Sequence, residues 1–253
     1  MPLLSLEGVE RRFGGLRAVS DVSFDAEQGC ITGLIGPNGA GKTTVINLIT
    51  GLLRLSAGRV VFEGVDIGMA PPHAVARAGI ARTFQNIRLL PEQSVLDNVA
   101  AGFHRHETGS AMAALFGLPS SHAARRRTLD GAAELLERFG MTSYAAHPAG
   151  TLAYGHQRRV EIMRALATGP RLLLLDEPVA GMNDVEAEGL GQVFRRLAEG
   201  GMAILLVEHN MRFVCATCDV VHVLDAGRLI ASGAPAAVVA DPAVIEAYLG
   251  APA

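Results

Sequence analysis

With 253 residues, 49% of them hydrophobic, the chain can bury one large core, or a core with an attached subdomain. A formal net charge of −3, with 19% charged residues, argues against nucleic-acid binding through bulk positive charge. Three cysteines without metal-site spacing of Cys and His suit a reducing compartment.

The N-terminal MPLLSLEGVERRF places Glu7 and Glu10 where a signal peptide needs an uninterrupted apolar run. The runs LLLL at 172–175 and AILLV at 203–207 have strand length, well short of the ~20 residues of a membrane helix. A soluble chain is expected, one that reaches a membrane only through partners.

In chain order, residues 1 to about 30 alternate with period two on either side of a GGL turn, which predicts short antiparallel strands. CITGLIG predicts a buried strand, followed by a glycine-rich loop and the helical pattern TTVINLITGLL. GRVVFEGVDI reads as a hairpin around Glu63 and Gly64, and PPHAVARAG as a helix with proline in its first turn. From about 86 to 160 the pattern becomes helical: SVLDNVAAGF behind a Ser94 cap, then the amphipathic AARRRTLDGAAELLERFG. Between them, HRHETGSAMAALFGLPSS reads as an irregular insert. Beyond 166, RLLLLD, VEAEGLGQVFRRLAEGG, AILLVEH, NMRFVCATC and DVVHVLDAGRLIASG restore strand–helix alternation, and AVIEAYLG closes with a short helix. Cys215 and Cys218 fall in a packed helix running into a buried strand, rather than forming a redox pair. Such alternation predicts an α/β fold with a parallel sheet covered on both faces, split by an inserted helical subdomain.

GPNGAGKT, residues 36–43, fits the phosphate-loop pattern between a strand and a helix. Gly36, Pro37, Asn38, Gly39, Ala40 and Gly41 would aim backbone N–H groups into one concavity, backed by the helix N-terminus with Thr43 and Thr44. Lys42 would reach the β- and γ-phosphates and Thr43 would offer its hydroxyl to Mg²⁺. RLLLLDE ends a buried strand in two carboxylates. Asp176 would hold Mg²⁺ through its water shell, and Glu177 would act as general base for the attacking water. ATP and Mg²⁺ are the cofactors these parts call for.

TLAYGHQRRVEIMRAL (151–166), standing before RLLLLDEP, resembles the signature segment of ABC ATPases, the cassette family of ATP-driven transporters. The other landmarks follow in order along the chain. Gln85 in ARTFQN resembles the Q-loop, VAGMND (179–184) the D-loop, His209 in LLVEHN the switch histidine, and Phe13 in RRFGG the aromatic that stacks on adenine. The resemblance implies a P-loop cassette with a mostly parallel core sheet, an antiparallel N-terminal β-subdomain and an inserted helical subdomain. One domain would span 1–253, with core 1–85 and 161–253 and helical subdomain 86–160. It also implies that Gln85 joins Thr43 and Asp176 at the metal, and that His209 holds the γ-phosphate and the water. Gly155 would close in trans over ATP bound to a second cassette, so a dimer is expected, either of two different ATPase subunits or of two copies.

Four segments, FGGLRAVSDVSF, ARTFQNIRLLPEQSVLDNV, LAYGHQRR and DPAVIEAYLG, resemble the ATPases of branched-chain amino acid importers, and VAGMND also resembles urea importers. This implies two membrane subunits, an extracytoplasmic binding protein, no nucleic-acid partner, and a position at the cytoplasmic face of the membrane. The alternatives left open are a urea or short-chain amide importer and a soluble, non-transport ABC ATPase. Leu89, Leu90 and Pro91 after the Q-loop suit a groove that docks a membrane-subunit helix. Ala153 stands where the common signature has serine, and His156 where it has glutamine. Arg158 and Arg159 read as surface salt-bridge residues, and His73, His104, His106, His122, His147, His156 and His222 as solvated or structural.

Overall fold

The computed structural model describes residues 2–83, 87–106 and 119–249, apart from the side chains of 104–106, 119–122 and 249. Gln85 and much of the expected irregular insert lie outside the described residues. The described chain divides into two compact units, one of residues 1–82, 171–178 and 187–253, the other of 83–170 and 179–186.

The first unit holds two sheets. Strands β1 (Leu4–Phe13) and β2 (Leu16–Ala26) form an antiparallel hairpin across Gly14 and Gly15. β4 (Ala57–Phe62) pairs with β1 and with β5 (Val65–Asp66), giving the order β2-β1-β4-β5. The β4–β5 turn places Glu63 and Gly64 both at positive φ, 51° and 77°, the geometry of a tight hairpin. The second sheet comprises β3 (Ile31–Ile35), β6 (Ile80–Arg82), β7 (Leu172–Asp176), β8 (Ala203–Val207), β9 (Val220–Asp225) and β10 (Arg228–Gly233). Its order is β10-β9-β3-β8-β7-β6, parallel throughout except for the β9–β10 hairpin.

Period-two alternation explains how the central strands are packed. Leu172 and Leu174 of β7, with Ala203, Leu205 and Val207 of β8, join one core with Leu4, Leu6 and Val9 of β1 and with Val45, Ile46 and Ile49 of the helix Lys42–Ile49. Leu173, Leu175, Ile204 and Leu206 face the other way and are also fully buried. Both faces are therefore covered, as the continuous apolar runs predict.

The second unit is helical: Val95–Ala100, Pro119–Arg138, Tyr154–Leu166 and short 3-10 turns. The Ser94 hydroxyl accepts from the Asp97 N–H at 3.0 Å, the cap expected from sequence. The boundary expected at 160 falls inside the helix Tyr154–Leu166, which stays with this unit to its end because its backbone ladder is unbroken. Residues 179–186 also belong here.

Candidate nucleotide site

Three neighbouring parallel strands, β3, β8 and β7, end side by side, and the loops that leave them hold most of the site residues expected from sequence. This edge, beyond the carboxyl ends of parallel strands, is where α/β sheets bind ligands. Gly36 follows β3 with φ 147°, and a Cβ there would collide with the Leu224 carbonyl oxygen. Gly41, at φ 105°, caps the helix Lys42–Ile49, and its Cβ would lie 2.7 Å from the Ala18 carbonyl oxygen. At both positions a side chain is excluded by neighbouring backbone, so the loop can take this shape only with glycine.

Lys42 Nζ donates to the carbonyls of Gly36 and Pro37, at 2.6 and 3.0 Å. Partial burial lowers its pKa, while the Glu177 and Asp176 carboxylates act in the opposite direction. The ammonium thus lies folded on the loop whose phosphates it is expected to bind.

Asp176 ends β7 as a buried carboxylate, with its Oδ2 accepting from Arg82 Nη2 at 3.0 Å. The next residue, Glu177, has φ 50°, unusual for a residue with a side chain, and its N–H donates to the Val207 carbonyl at 2.9 Å. Left-handed backbone at a non-glycine residue stores strain, and such strain clusters at functional sites. His209 leaves β8 with its ring largely exposed, Nδ1 lying 3.7 Å from Glu177 Oε1 and 3.8 Å from Glu208 Oε2. The Glu208 carboxylate is fully buried and accepts from the N–H groups of His209 and Asn210, at 3.0 and 3.3 Å. Asn210 in turn caps the helix Met211–Thr217 through the Phe213 N–H. The loop that presents His209 is therefore fixed from both sides.

Phe13, at the end of β1, is exposed, with the Arg11 guanidinium 4.5 Å from its ring centre. Arg11 also donates to the Arg54 carbonyl at 2.8 Å.

In the helical unit, Ala153 is the N-cap residue of Tyr154–Leu166 and makes no side-chain capping bond. A Cβ on Gly155 would meet Met182 Cγ at 3.4 Å, an ordinary contact, and Gly155 is not at a left-handed φ. Nothing within the described chain demands this glycine. Asn183 and Glu186 cap the next helix reciprocally, Asn183 N–H to Glu186 Oε2 at 3.0 Å and Glu186 N–H to Asn183 Oδ1 at 2.9 Å.

One expectation fails here. Arg158 is not a surface residue but one of the largest fully buried side chains, paired with buried Glu161 at 2.7 Å. Its spacing of three from Glu161 puts both on the helix face that the subdomain covers. His222 is structural: its Nδ1 lies 2.9 Å from Ser232 Oγ, its ring packs on Phe24, and burial lowers its pKa.

Sequence reading missed Arg82, Asn47 and Glu208. Arg82 Nη1 donates to Asn47 Oδ1 at 2.6 Å, linking the helix behind the phosphate loop to the Asp176 strand. The available signal was an arginine closing the short apolar strand that precedes the Q-loop.

The ABC transporter family model matches residues 19–180. The chain belongs to the ABC transporter ATP-binding family and, as an ATP-binding protein of that family, is an ATPase. Residues 228–253 match the model for the branched-chain amino acid ATP-binding cassette transporter. The chain is 42% identical to the high-affinity branched-chain amino acid transport ATP-binding protein BraF of Pseudomonas aeruginosa, over 98% of both chains. It is 40% identical to LivG, of the same description, from Escherichia coli K12, again over 98% of both. The crystal structure of a nucleotide-free ATP-binding cassette from an ABC transporter superposes with TM-score 0.85 at 34% identity, covering 99% of this chain and 100% of that one. Among the described residues no helix is long and apolar enough to cross a membrane.

Proposed function

We propose that this chain is the ATP-hydrolysing subunit of an importer for branched-chain amino acids, bound from the cytoplasmic side to two membrane subunits served by an extracytoplasmic binding protein. The observation that carries this reading is the coincidence in one chain of the strand-end site and a C-terminal segment of the branched-chain type. The two units together make one cassette.

In this reading the loop from Gly36 to Thr43, with Thr44 behind it, wraps the phosphates, and Lys42 swings from its carbonyl partners to the β- and γ-phosphates. Thr43 would offer a hard oxygen donor, the type Mg²⁺ takes alongside substrate phosphates, Asp176 would hold the ion through its water shell, and Gln85 would add a further oxygen. Mg²⁺ held there would supply charge neutralisation for the phosphates. Glu177 takes the proton of the attacking water, and His209, across 3.7 Å, orients that water and the γ-phosphate. Phe13 stacks on adenine with the ring face that Arg11 leaves open.

Gly155 serves a second cassette. Its spare steric room lets the helix N-terminus approach the γ-phosphate bound there, where the positive end of the helix favours negative charge. A partner ATPase, different or identical, is therefore part of the working enzyme. The docking surface for the membrane subunits is an open groove of about 640 Å³ lined by residues that include Leu90, Pro91, Glu92, Asp97 and Arg125. Asn98 holds its rim, bonded to both the N–H and the carbonyl of Leu90.

The test is reconstitution in proteoliposomes with the membrane subunits encoded beside it. ATP hydrolysis should rise when the cognate binding protein carries leucine, isoleucine or valine. Stimulation by urea or short amides alone, or no association with membrane subunits, would overturn the assignment.

A further inference from the structure

Arg82 stands in register with Leu174 of β7, so its side chain shares a sheet face with Asp176, two residues further on. Its guanidinium donates to Asp176 Oδ2 at 3.0 Å and to Asn47 Oδ1 at 2.6 Å. Both members of the ion pair are nearly buried, with side-chain exposures of 9% and 8%. The guanidinium is thus a cation placed directly against an enclosed carboxylate, where screening by water is weak. The rigid guanidinium fork also fixes the carboxylate relative to the helix Lys42–Ile49 that carries Asn47.

The nucleotide-site reading, on which the inference rests, assigns Asp176 a second cation, Mg²⁺. We propose that Arg82 is the resident counter-cation of Asp176: it orients that carboxylate and offsets its charge before Mg²⁺ arrives, and so sets how strongly nucleotide binding depends on Mg²⁺. Lys42 and Arg82 offset part of the negative charge of Asp176 and Glu177 that incoming phosphates meet. Without Arg82, metal-free ATP meets a carboxylate that has lost this cation, whereas Mg²⁺-bound ATP brings its own compensation. Removal of Arg82 therefore widens the gap between the two.

The measurement is the affinity of the full-length chain for trinitrophenyl-ATP, in Mg²⁺ and in EDTA. Arg82→Met should raise the ratio of the EDTA to the Mg²⁺ dissociation constant by about tenfold or more, because the lost positive charge no longer opposes the incoming divalent cation, at an effective dielectric near 20. Arg82→Lys, which keeps the charge without the fork, should raise it less. Mg²⁺ alone should raise the melting temperature of Arg82→Met more than that of the wild type. Adding Asp176→Asn should return the ratio to that of Asp176→Asn alone. A uniform loss of affinity in both conditions, as a merely structural arginine would give, overturns the proposal. If Arg82→Met does not fold, Arg82→Gln, which keeps amide donors for Asp176 and Asn47 but removes the charge, decides, and a ratio at or below the wild-type value overturns the proposal. Failure of the wild type to bind the analogue would overturn the nucleotide-site reading itself.

Discussion

Glu177 and His209 face each other with 3.7 Å between carboxylate oxygen and imidazole nitrogen, Glu177 held at φ 50° and His209 on a loop clamped by buried Glu208. The separation exceeds a hydrogen bond. Glu177→Gln should leave MgATP binding intact and lower turnover ~10²–10⁴-fold, the usual effect of losing a general base. ATP should then accumulate in a stable dimer. Near-normal steady-state hydrolysis by the assembled complex would rule out Glu177 as the base.

Ala153 caps its helix without a side-chain bond, so this signature offers backbone N–H groups but no hydroxyl. If the partner cassette carries serine there, the two ATP sites are chemically unequal. A hydrogen bond to a charged group contributes roughly 1.5–3 kcal/mol, about one to two factors of ten in rate if made only in the transition state. Glu177→Gln in this chain should therefore slow turnover more than the matching change in the partner. Ala153→Ser should also stabilise the chain, by about 0.5–2 kcal/mol, through the restored cap. Equal losses from the two glutamate variants would show that Ala153 does not differentiate the sites.

The buried Arg158–Glu161 pair is expected to matter for folding rather than for ATP. Arg158→Met removes the paired guanidinium from the buried Glu161 carboxylate and should cost up to about 3–5 kcal/mol in urea unfolding. Combining Arg158→Met with Glu161→Leu, which removes both charges, should recover much of that loss. A single-variant loss below about 1 kcal/mol would show that the helical subdomain tolerates the carboxylate without its arginine.

Single cysteines at Leu90, Glu92 or Arg125 of the groove should crosslink to a cytoplasmic helix of the membrane subunits in at least one nucleotide state. The background residue to remove first is exposed Cys215. The Cys218 thiol, its pKa pushed up to about 12 by burial and then by Asp219, should resist maleimide at neutral pH. Absence of any crosslink across nucleotide states would exclude the groove as the docking surface.

The sequence by itself determined the succession of strands and helices, the phosphate loop, the Asp176–Glu177 pair, His209 and the Ser94 cap, because each is set by local rules. Period-two alternation, glycine spacing and capping chemistry act over a few residues and can be read without knowing what lies opposite. The tertiary structure decided what those rules leave open. Arg158 looked like a surface cation because helical spacing shows which residues share a face, not which face the subdomain covers. The Arg82–Asp176–Asn47 link joins residues distant in the chain: the parallel register of β6 on β7 brings Arg82 to Asp176, and the packing of the helix Lys42–Ile49 brings Asn47 to Arg82. Glu208 likewise gains its role from burial, which turns an ordinary acidic residue beside a histidine into the acceptor that fixes the His209 loop. Long-range pairing and burial depend on how sheets and helices stack, and that information is spread over the whole chain.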